Sequence, residues 1–324
     1  YRQSEYNHVV PAETVFFMIL NGNMSAIKER EAKPDFDQNT TDLETMTLMS
    51  FRKAMAVTFD REMFASTVSP ARSGGYGIIG TTYVYDPETG ATYRSTDQAK
   101  KVLCDFYSVD TSKYANLDEA VASITGYDPE AAKELYKQAF DEAIAAGYIT
   151  DNDNDGVSDQ TVTIEYCMSA DSDFMTKTID YLNEKMAEVT AGTPFDGKVK
   201  FVKSAPYGND WSNKIKSGLS DTVLAGWTGS KMNPFSLTDL YVNPAYQYDA
   251  GWFNADAVDM TLTVPVNGTA TEVTMNIHKW SDALNGATVN EGGVDYNFGE
   301  GQADVETRLT IMAGIEGKVL ETYD

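Results

Sequence analysis

The chain has 324 residues, of which 42% are hydrophobic, so it is long enough for one large or two ordinary domains with a real core. Its 25 basic and 49 acidic residues give a formal net charge of −24. An acidic surface of this kind repels a polyanion, which argues against nucleic-acid binding. The apolar runs are also too short for a membrane-spanning helix.

The two cysteines and two histidines give little material for catalysis. Cys104 and Cys167 have neither C-x-x-C nor zinc-site spacing, so the sequence is compatible with two buried thiols or with one disulfide. With His8 and His278 alone, a catalytic triad or a histidine-rich metal centre has few candidate residues.

The first part of the chain predicts a strand, a loop and a long helix. Residues 14–20 are strongly apolar and end at Asn-Gly, which indicates a buried strand. Residues 23–40 are polar and are predicted as a loop. The capping box Thr41-x-x-Glu44 then begins a helix that the apolar spacing extends to about residue 67.

The next segment is rich in glycine and tyrosine. Residues 69–95 are predicted to form a loop or a short hairpin. They contain no G-x-G-x-x-G between a strand and a helix, so no nucleotide site is predicted. Two short helices follow, over about 96–107 and 117–125.

The least ambiguous unit is a helix, an acidic turn and a strand. Asp128 is a good N-cap, Pro129 suits the first helical position, and Gly147 supplies the stop. One apolar stripe runs along the helix, formed by Ala132, Leu135, Ala139 and Ala143. Alternating apolar residues over 161–167 predict a strand with one buried face.

A βαβ crossover follows from the next three segments. A helix over 171–190 separates the strand at 161–167 from a strand at 199–202, so these two strands should be parallel. A short helix at about 210–217 leads to a third strand over 221–227. Ligands of open α/β sheets bind beyond the carboxyl ends of the strands, where the loop after this third strand lies.

The remaining elements are a hairpin and a final helix. Asn267-Gly268 stands between two alternating apolar segments, which is the strongest short signal for a β-hairpin. The last helix is predicted over about 304–323.

The acidic turn has the spacing of a calcium-binding loop. Positions 1, 3, 5 and 9 of an EF-hand-like loop are occupied by Asp151, Asp153, Asp155 and Asp159. Gly156 stands at position 6 and the Val157 carbonyl at position 7, but position 12 is Val162 instead of a bidentate glutamate. The sequence leaves two interpretations open: a structural calcium site, or a surface loop whose aspartates accept backbone N–H groups.

Four separated blocks and a final helix carry a family resemblance. The blocks are FRKAMAVTFDRE (51–62), YDPEAAKELYKQA (127–139), AGYITDNDNDGVSD (146–159) and DWSNKIKSGLSDTVLAGWTGSKMNP (210–234). In this order they resemble the family 5 extracellular solute-binding proteins, the peptide- and oligopeptide-binding components of ABC importers. The segment 304–324 is similar to the late helix of that family.

The resemblance implies an α/β fold, a periplasmic-binding-protein-like lobe of type II, cluster C. Its mixed sheet would contain the βαβ crossover, flanked by helices, with the β-hairpin added. Residues 1–25 would then be a crossover or hinge segment from a missing first lobe. Residues 26–300 would be the second ligand-binding lobe, and 301–324 a helix leading back toward the first.

The resemblance also places a ligand site in the loop after the third strand. The residues implied are Trp227, Thr228, Gly229, Ser230, Lys231 and Asn233. Peptide-binding members carry an Asp three residues after the Trp, which pairs with the peptide α-amine, whereas this chain has Ser230. Lys231 could instead face an anion. The alternative is that Trp227 packs in the core and Lys231 is solvated.

The function implied is that of a non-enzymatic, monomeric binding protein. It would capture a peptide or similar small solute by hinge closure and deliver it to an ABC permease. It would have no catalytic residues and no required cofactor, with calcium as a structural option. It would act outside the cytoplasmic membrane, held by a lipid anchor absent from this sequence, or in the periplasm. Two other classes stay open: a secreted hydrolase using paired carboxylates, and a calcium-dependent surface adhesion module.

Overall fold

The computed structural model describes residues 12–32, 43–69, 71–246 and 254–323, apart from the side chains of residues 26, 30 and 31. The α-helices in these ranges are α1 (Met24–Glu31), α2 (Met49–Thr58), α3 (Arg61–Val68), α4 (Asp97–Phe106), α5 (Leu117–Ala122), α6 (Pro129–Ala146), α7 (Asp173–Thr190), α8 (Trp211–Lys216), α9 (Leu237–Val242), α10 (Ile277–Leu284) and α11 (Val305–Thr322). The strands are β1 (Val15–Leu20), β2 (Val84–Asp86), β3 (Ala91–Thr92), β4 (Val162–Met168), β5 (Val199–Pro206), β6 (Thr222–Trp227), β7 (Asp259–Val266), β8 (Thr269–Asn276), β9 (Val289–Glu291) and β10 (Val294–Tyr296).

A four-stranded mixed sheet in the order β1-β6-β4-β5 organises the first half of the fold. β4 runs parallel to β5 and to β6, so the predicted βαβ crossover is confirmed. β1 is one of the two edge strands and runs antiparallel to β6, with Val15 opposite Trp227. The carboxyl ends of β4, β5 and β6 therefore lie at one edge of the sheet.

β4 is buried on both faces, whereas its alternating sequence predicts one buried face. Ile164 and Tyr166 face the core beneath α2, α6 and α7, and Cys167 faces a small cluster around Ile215 of α8. The strand lies between β5 and β6, and helices cover both sides of the sheet at this point. Polar residues at the intervening positions, such as Thr163, are buried with it.

The predicted boundaries of α6 are confirmed, and those of the first long helix are wrong. The Asp128 side chain accepts the Ala131 N–H at 3.0 Å, and Gly147 ends α6 in the left-handed conformation at φ 73°. The helix expected over 41–67 is divided into α2 and α3. Asp60 has extended backbone angles and caps α3 by accepting the Met63 N–H at 2.9 Å, so the helix cannot continue through it.

The remaining expectations for the first part of the chain concern the segments on either side of these helices. The polar segment 23–40 is not loop throughout, because α1 begins after Asn23, whose side chain accepts the Ser25 N–H at 3.0 Å. The Thr41 capping box and residues 33–40 lie outside the described residues. The β2–β3 hairpin and helices α4 and α5 agree with the sequence prediction.

A second hydrophobic core lies under the β7–β8 hairpin. The hairpin turns at Asn267 and Gly268, with φ angles of 51° and 78°, as Asn-Gly predicts for a type I′ turn. Trp280 of α10 is completely buried, stacks on Phe298 at 5.6 Å and donates its indole N–H to the Met260 carbonyl. α11 contributes to this same core through side chains such as Met312.

Both cysteines are buried free thiols, which excludes the disulfide alternative. Burial raises the pKa of the Cys167 thiol to about 12, so it is protonated at neutral pH. None of the helices within the described ranges combines the length and apolarity that crossing a membrane would require.

Candidate functional site

The loop at residues 227–233, here called the carboxyl-edge loop, follows β6 at the edge where the parallel strands end. Trp227 is half-buried and packs on both the second core and the small cluster on the α8 side of the sheet. Two other half-buried aromatic residues, Tyr207 and Trp211, pack on that same small cluster. The edge therefore combines a rigid aromatic floor with exposed polar residues, an arrangement typical of small-molecule sites.

The backbone of the carboxyl-edge loop is fixed to the second core. The Gly229 N–H donates to the Tyr83 hydroxyl at 3.0 Å, and the Lys231 carbonyl accepts the Val84 N–H at 2.7 Å. A Cβ added at Gly229 would lie 2.7 Å from Leu237 Cδ2, so a larger residue here would push against the buried Leu237 side chain. These contacts fix the backbone of the carboxyl-edge loop at Gly229 and Lys231.

The predicted site residues divide into two groups. Trp227 and Gly229 are half-buried, whereas the exposed members are Thr228, Ser230, Lys231 and Asn233. The Lys231 ammonium pairs with the Glu13 carboxylate just before β1. Its charge is therefore already countered within the chain, which weakens the expectation that Lys231 faces an anionic ligand.

A second concave site, here called the β1 cleft, lies along β1. It has a volume of about 320 Å³ and is enclosed by β1, α2, α3, the glycine-rich segment 72–78 and the end of α11. The carboxyl-edge loop does not contribute to its lining. Most of its wall is apolar, as shown by Met18, Met55, Phe59, Phe64, Leu182 and Leu320.

A buried ionic network holds one wall of the β1 cleft. Glu316 of α11 is 1% exposed and accepts hydrogen bonds from the Tyr93 hydroxyl at 2.7 Å, Arg94 Nη1 at 2.9 Å and the Ile78 N–H at 3.0 Å. Arg94 Nη2 also pairs with the other carboxylate oxygen. A Cβ at Gly77 would overlap the Arg94 guanidinium, so glycine is required where the cleft wall crosses this pair.

The acidic loop brings together three of its predicted ligands. One carboxylate oxygen from each of Asp151, Asp153 and Asp155 lies within 4.8 Å of the others. Two of these side chains also accept backbone N–H groups: Asp151 from Asp155 and Gly156, and Asp155 from Val157. These contacts are those of the Asx-turn alternative, so both interpretations retain support.

Asp159, the fourth predicted carboxylate, does not join this group. It accepts hydrogen bonds from the Thr150 hydroxyl at 2.7 Å and from the Asn152 N–H at 2.9 Å. These bonds lower the pKa of Asp159. Val157, whose carbonyl is the remaining predicted ligand, donates its N–H to Asp155 Oδ1 at 2.8 Å.

The two interpretations of the acidic loop can be separated with Asp153, which makes no hydrogen bond within the described residues. We expect calcium to raise the melting temperature of the protein by a few degrees and a chelator to reverse this. Asp153→Asn should abolish the calcium-dependent rise while leaving the chelated protein unchanged, and the exposed Asp180→Asn should retain it. A melting temperature insensitive to calcium would leave the Asx turn as the whole explanation.

No family model matches the sequence, and no curated protein matches it. Solved structures do match its fold. A peptide-binding protein of a peptide ABC transporter is 18% identical with a TM-score of 0.55, and 96% of each chain is covered. The substrate-binding domain of an oligopeptide ABC transporter from Bacillus anthracis is 13% identical with a TM-score of 0.54, over 95% of this chain and 42% of that chain.

OppA from Haemophilus influenzae, in complex with RPPGFSPFR, is 12% identical with a TM-score of 0.51, over 96% of this chain and 41% of that chain. The chain thus spans almost all of the first neighbour and about two-fifths of the other two. At these identities the likeness establishes the fold: an α/β lobe of the kind found in peptide-binding components of ABC transporters, which are binding proteins.

Sequence reasoning missed the β1 cleft and its cations. Arg72 begins the segment RSGGYG, which the sequence marks as a loop but not as the wall of a cavity. The signal that was available is a single cation followed by three glycines within five residues, a pattern that lets a backbone approach a ligand closely. Its partners come from β1 and α7, far away in sequence.

Proposed function

We propose that this chain is the ligand-binding lobe of an extracellular solute-binding protein of an ABC importer. It binds a peptide or a similar small solute against a facing lobe and passes it to the permease. The observation that carries the proposal is the fold, which matches lobes of peptide-binding proteins across nearly the whole chain.

The carboxyl-edge loop supports a binding role. Its backbone is fixed by Tyr83 and Val84, while Thr228, Ser230 and Asn233 remain exposed beside the Trp227 ring. A preformed site loses little conformational entropy when it binds a ligand. A ligand that touches this loop and a second lobe would favour the closed arrangement, because it gains contacts there that the open arrangement lacks.

The proposed location is outside the cytoplasmic membrane, either lipid-anchored or periplasmic, and the proposed protein is monomeric. The net charge of −24 fits an exposed, soluble protein surface. The family resemblance places an amine-pairing Asp at the position where this chain has Ser230, so the proposal extends to solutes without a free α-amine.

The test is a calorimetric screen of short peptides against the product of the complete reading frame that contains this chain. We expect saturable binding without hydrolysis of the peptide. Trp227→Ala should weaken binding by about tenfold to a hundredfold, because a half-buried tryptophan in a binding site is commonly a dominant contact. The control is Tyr246→Ala, which removes an exposed aromatic side chain outside the loop and should leave affinity unchanged.

Three results would contradict the proposal. Equal peptide affinity of the wild-type protein and Trp227→Ala would show that the carboxyl-edge loop is not part of the binding site. Turnover of peptide or glycoside substrates would indicate a hydrolase. Tight, saturable binding by the 324-residue chain alone would contradict a site shared between two lobes.

A further inference from the structure

The β1 cleft differs in charge from the rest of the molecule. The chain contains 49 acidic and 25 basic residues, yet the side chains lining this cleft include three arginines and no carboxylate among the described residues. The three are Arg52, Arg61 and Arg72. A cavity with this lining attracts an anion although the whole protein repels one.

The nearby carboxylates do not reverse this balance. Glu316 lies behind Gly77 and pairs with Arg94, which itself is not part of the lining. Glu62 lies beside Gly74, where an added Cβ would be 3.0 Å from its Oε1, and it too is outside the lining. The three arginines are therefore the charged side chains that line the cleft, whereas both of these carboxylates lie outside the lining.

Arg72 is the arginine best placed to meet a ligand. Its guanidinium carbon lies 4.0 Å from the centroid of the Phe16 ring and 4.8 Å from that of Phe174. Within the described residues its side chain has no ion pair and no hydrogen bond, whereas Arg61 already donates to the Gly126 carbonyl at 2.7 Å. Contacts of this kind between a guanidinium and aromatic rings restrain the cation, and its N–H groups can still donate to a carboxylate.

Partial burial adds a reason for an anionic partner. Removal from water lowers the pKa of Arg72, because the charged form loses hydration that the surrounding rings only partly replace. A carboxylate beside the guanidinium would compensate that loss with charge-assisted hydrogen bonds.

The remaining wall defines the rest of the ligand. Phe59, Phe64 and Met55 contribute apolar surface from α2, α3 and the segment between them. The volume of about 320 Å³ is at the lower end of the range for small-ligand pockets, which is about 300–1,000 Å³. The lining offers no carboxylate to pair with an ammonium group, so a ligand with a buried amine is disfavoured.

We propose that the β1 cleft is a second binding site, specific for a small amphipathic monoanion: an apolar chain with one carboxylate, which pairs with Arg72. This site is separate from the carboxyl-edge loop, because none of that loop's residues lines it. The proposal is independent of the function proposed above.

The test uses sodium decanoate as the probe and decanol as its neutral counterpart, with the product of the complete reading frame. We expect saturable decanoate binding by calorimetry, with decanol at least tenfold weaker. Arg72→Gln should reduce the affinity for decanoate by about tenfold to a hundredfold, which is the usual contribution of hydrogen bonds to a charged group. Its affinity for decanol should not change.

Control variants test whether the loss of decanoate affinity is specific to Arg72. Arg72→Lys retains the charge and should lose less affinity than Arg72→Gln. Lys137→Gln removes a half-exposed cation on α6, outside the cleft, and should bind decanoate as the wild-type protein does. Trp227→Ala should also bind decanoate normally, so failure at the carboxyl-edge loop and failure at this site are distinguishable. Circular dichroism confirms that each variant is folded.

Three outcomes would overturn the proposal. Equal affinity for decanoate and decanol would show that the cleft binds apolar chains without selecting for a negative charge. Equal decanoate affinity of the wild-type protein and Arg72→Gln would show that Arg72 does not pair with the carboxylate. An absence of saturable decanoate binding would show that the cleft is not a site for this class of anion.

Discussion

Glu316→Gln is expected to lower the free energy of unfolding by about 3–5 kcal/mol, measured by urea denaturation. The Glu316 carboxylate is almost completely buried and accepts hydrogen bonds from the Tyr93 hydroxyl, the Arg94 guanidinium and the Ile78 N–H at the same time. Glutamine has the same shape but no charge, so the Arg94 guanidinium would stay buried without a counter-ion. The glutamine NH₂ group, a donor, would also take the place of a carboxylate oxygen that accepts hydrogen bonds, so it would point at other donors.

The matched control lies on the same helix. Glu321 is exposed and pairs with Lys318, so Glu321→Gln should change stability by no more than about 0.5 kcal/mol. In a double-mutant cycle, Glu316→Gln with Arg94→Met should cost much less than the sum of the single changes, because the second change removes the unpaired charge. Equal effects of Glu316→Gln and Glu321→Gln would show that the buried pair does not hold α11 in place.

Phe195→Ala should cost a similar amount, about 3–5 kcal/mol, which is typical for truncating a fully buried aromatic side chain. Phe195 lies in the connection between α7 and β5 and is completely buried. Its ring is 5.5 Å from Phe51 of α2, and 6.1 Å and 6.2 Å from Tyr136 and Phe140 of α6. Removing it leaves a cavity where two helices meet the crossover connection.

A phenylalanine of different exposure provides the comparison. Phe16 in β1 is 47% exposed, so Phe16→Ala should reduce the free energy of unfolding by no more than about 1 kcal/mol. Urea denaturation of both variants gives the two values under the same conditions. Comparable losses would mean that burial of the Phe195 ring is not what stabilises the α2–α6 contact.

The two predictions concern different halves of the molecule and different physical effects. The Glu316 network fixes α11 against the segment that forms one wall of the β1 cleft, so its loss should also weaken decanoate binding. Phe195 stabilises the core under the mixed sheet, away from the cleft lining. Phe195→Ala should therefore lower stability and leave decanoate affinity unchanged while the protein remains folded.

Local sequence was a reliable guide wherever a boundary depends on neighbouring residues. Asp128, Pro129 and Gly147 determine α6 because capping, φ restriction and a left-handed stop act within a few residues. Asn267-Gly268 determines its hairpin for the same reason. The strand–helix–strand order also predicted the parallel pairing of β4 with β5.

Local reasoning failed where two signals compete within one segment. Apolar residues with helical spacing continue from α2 into α3, which favoured one helix. Asp60 instead acts as the N-cap of α3, where its side chain accepts the Met63 N–H. The Asp60 carbonyl accepts a hydrogen bond from the Tyr181 hydroxyl of α7 at 2.9 Å. Both faces of β4 are buried because helices from distant parts of the chain cover them, which alternation within seven residues cannot indicate.

By itself, the sequence determined the α/β class, most helices and strands, the acidic loop and the family resemblance that points to Trp227. Tertiary structure alone decided that Arg72 contacts the rings of Phe16 and Phe174, that Glu316 reaches Arg94 across more than two hundred residues, and that three arginines share one cleft. The physical reason is that caps, turns and periodicity are set by neighbours along the chain. A buried charge or a cavity wall depends on which distant surfaces meet when the two cores pack.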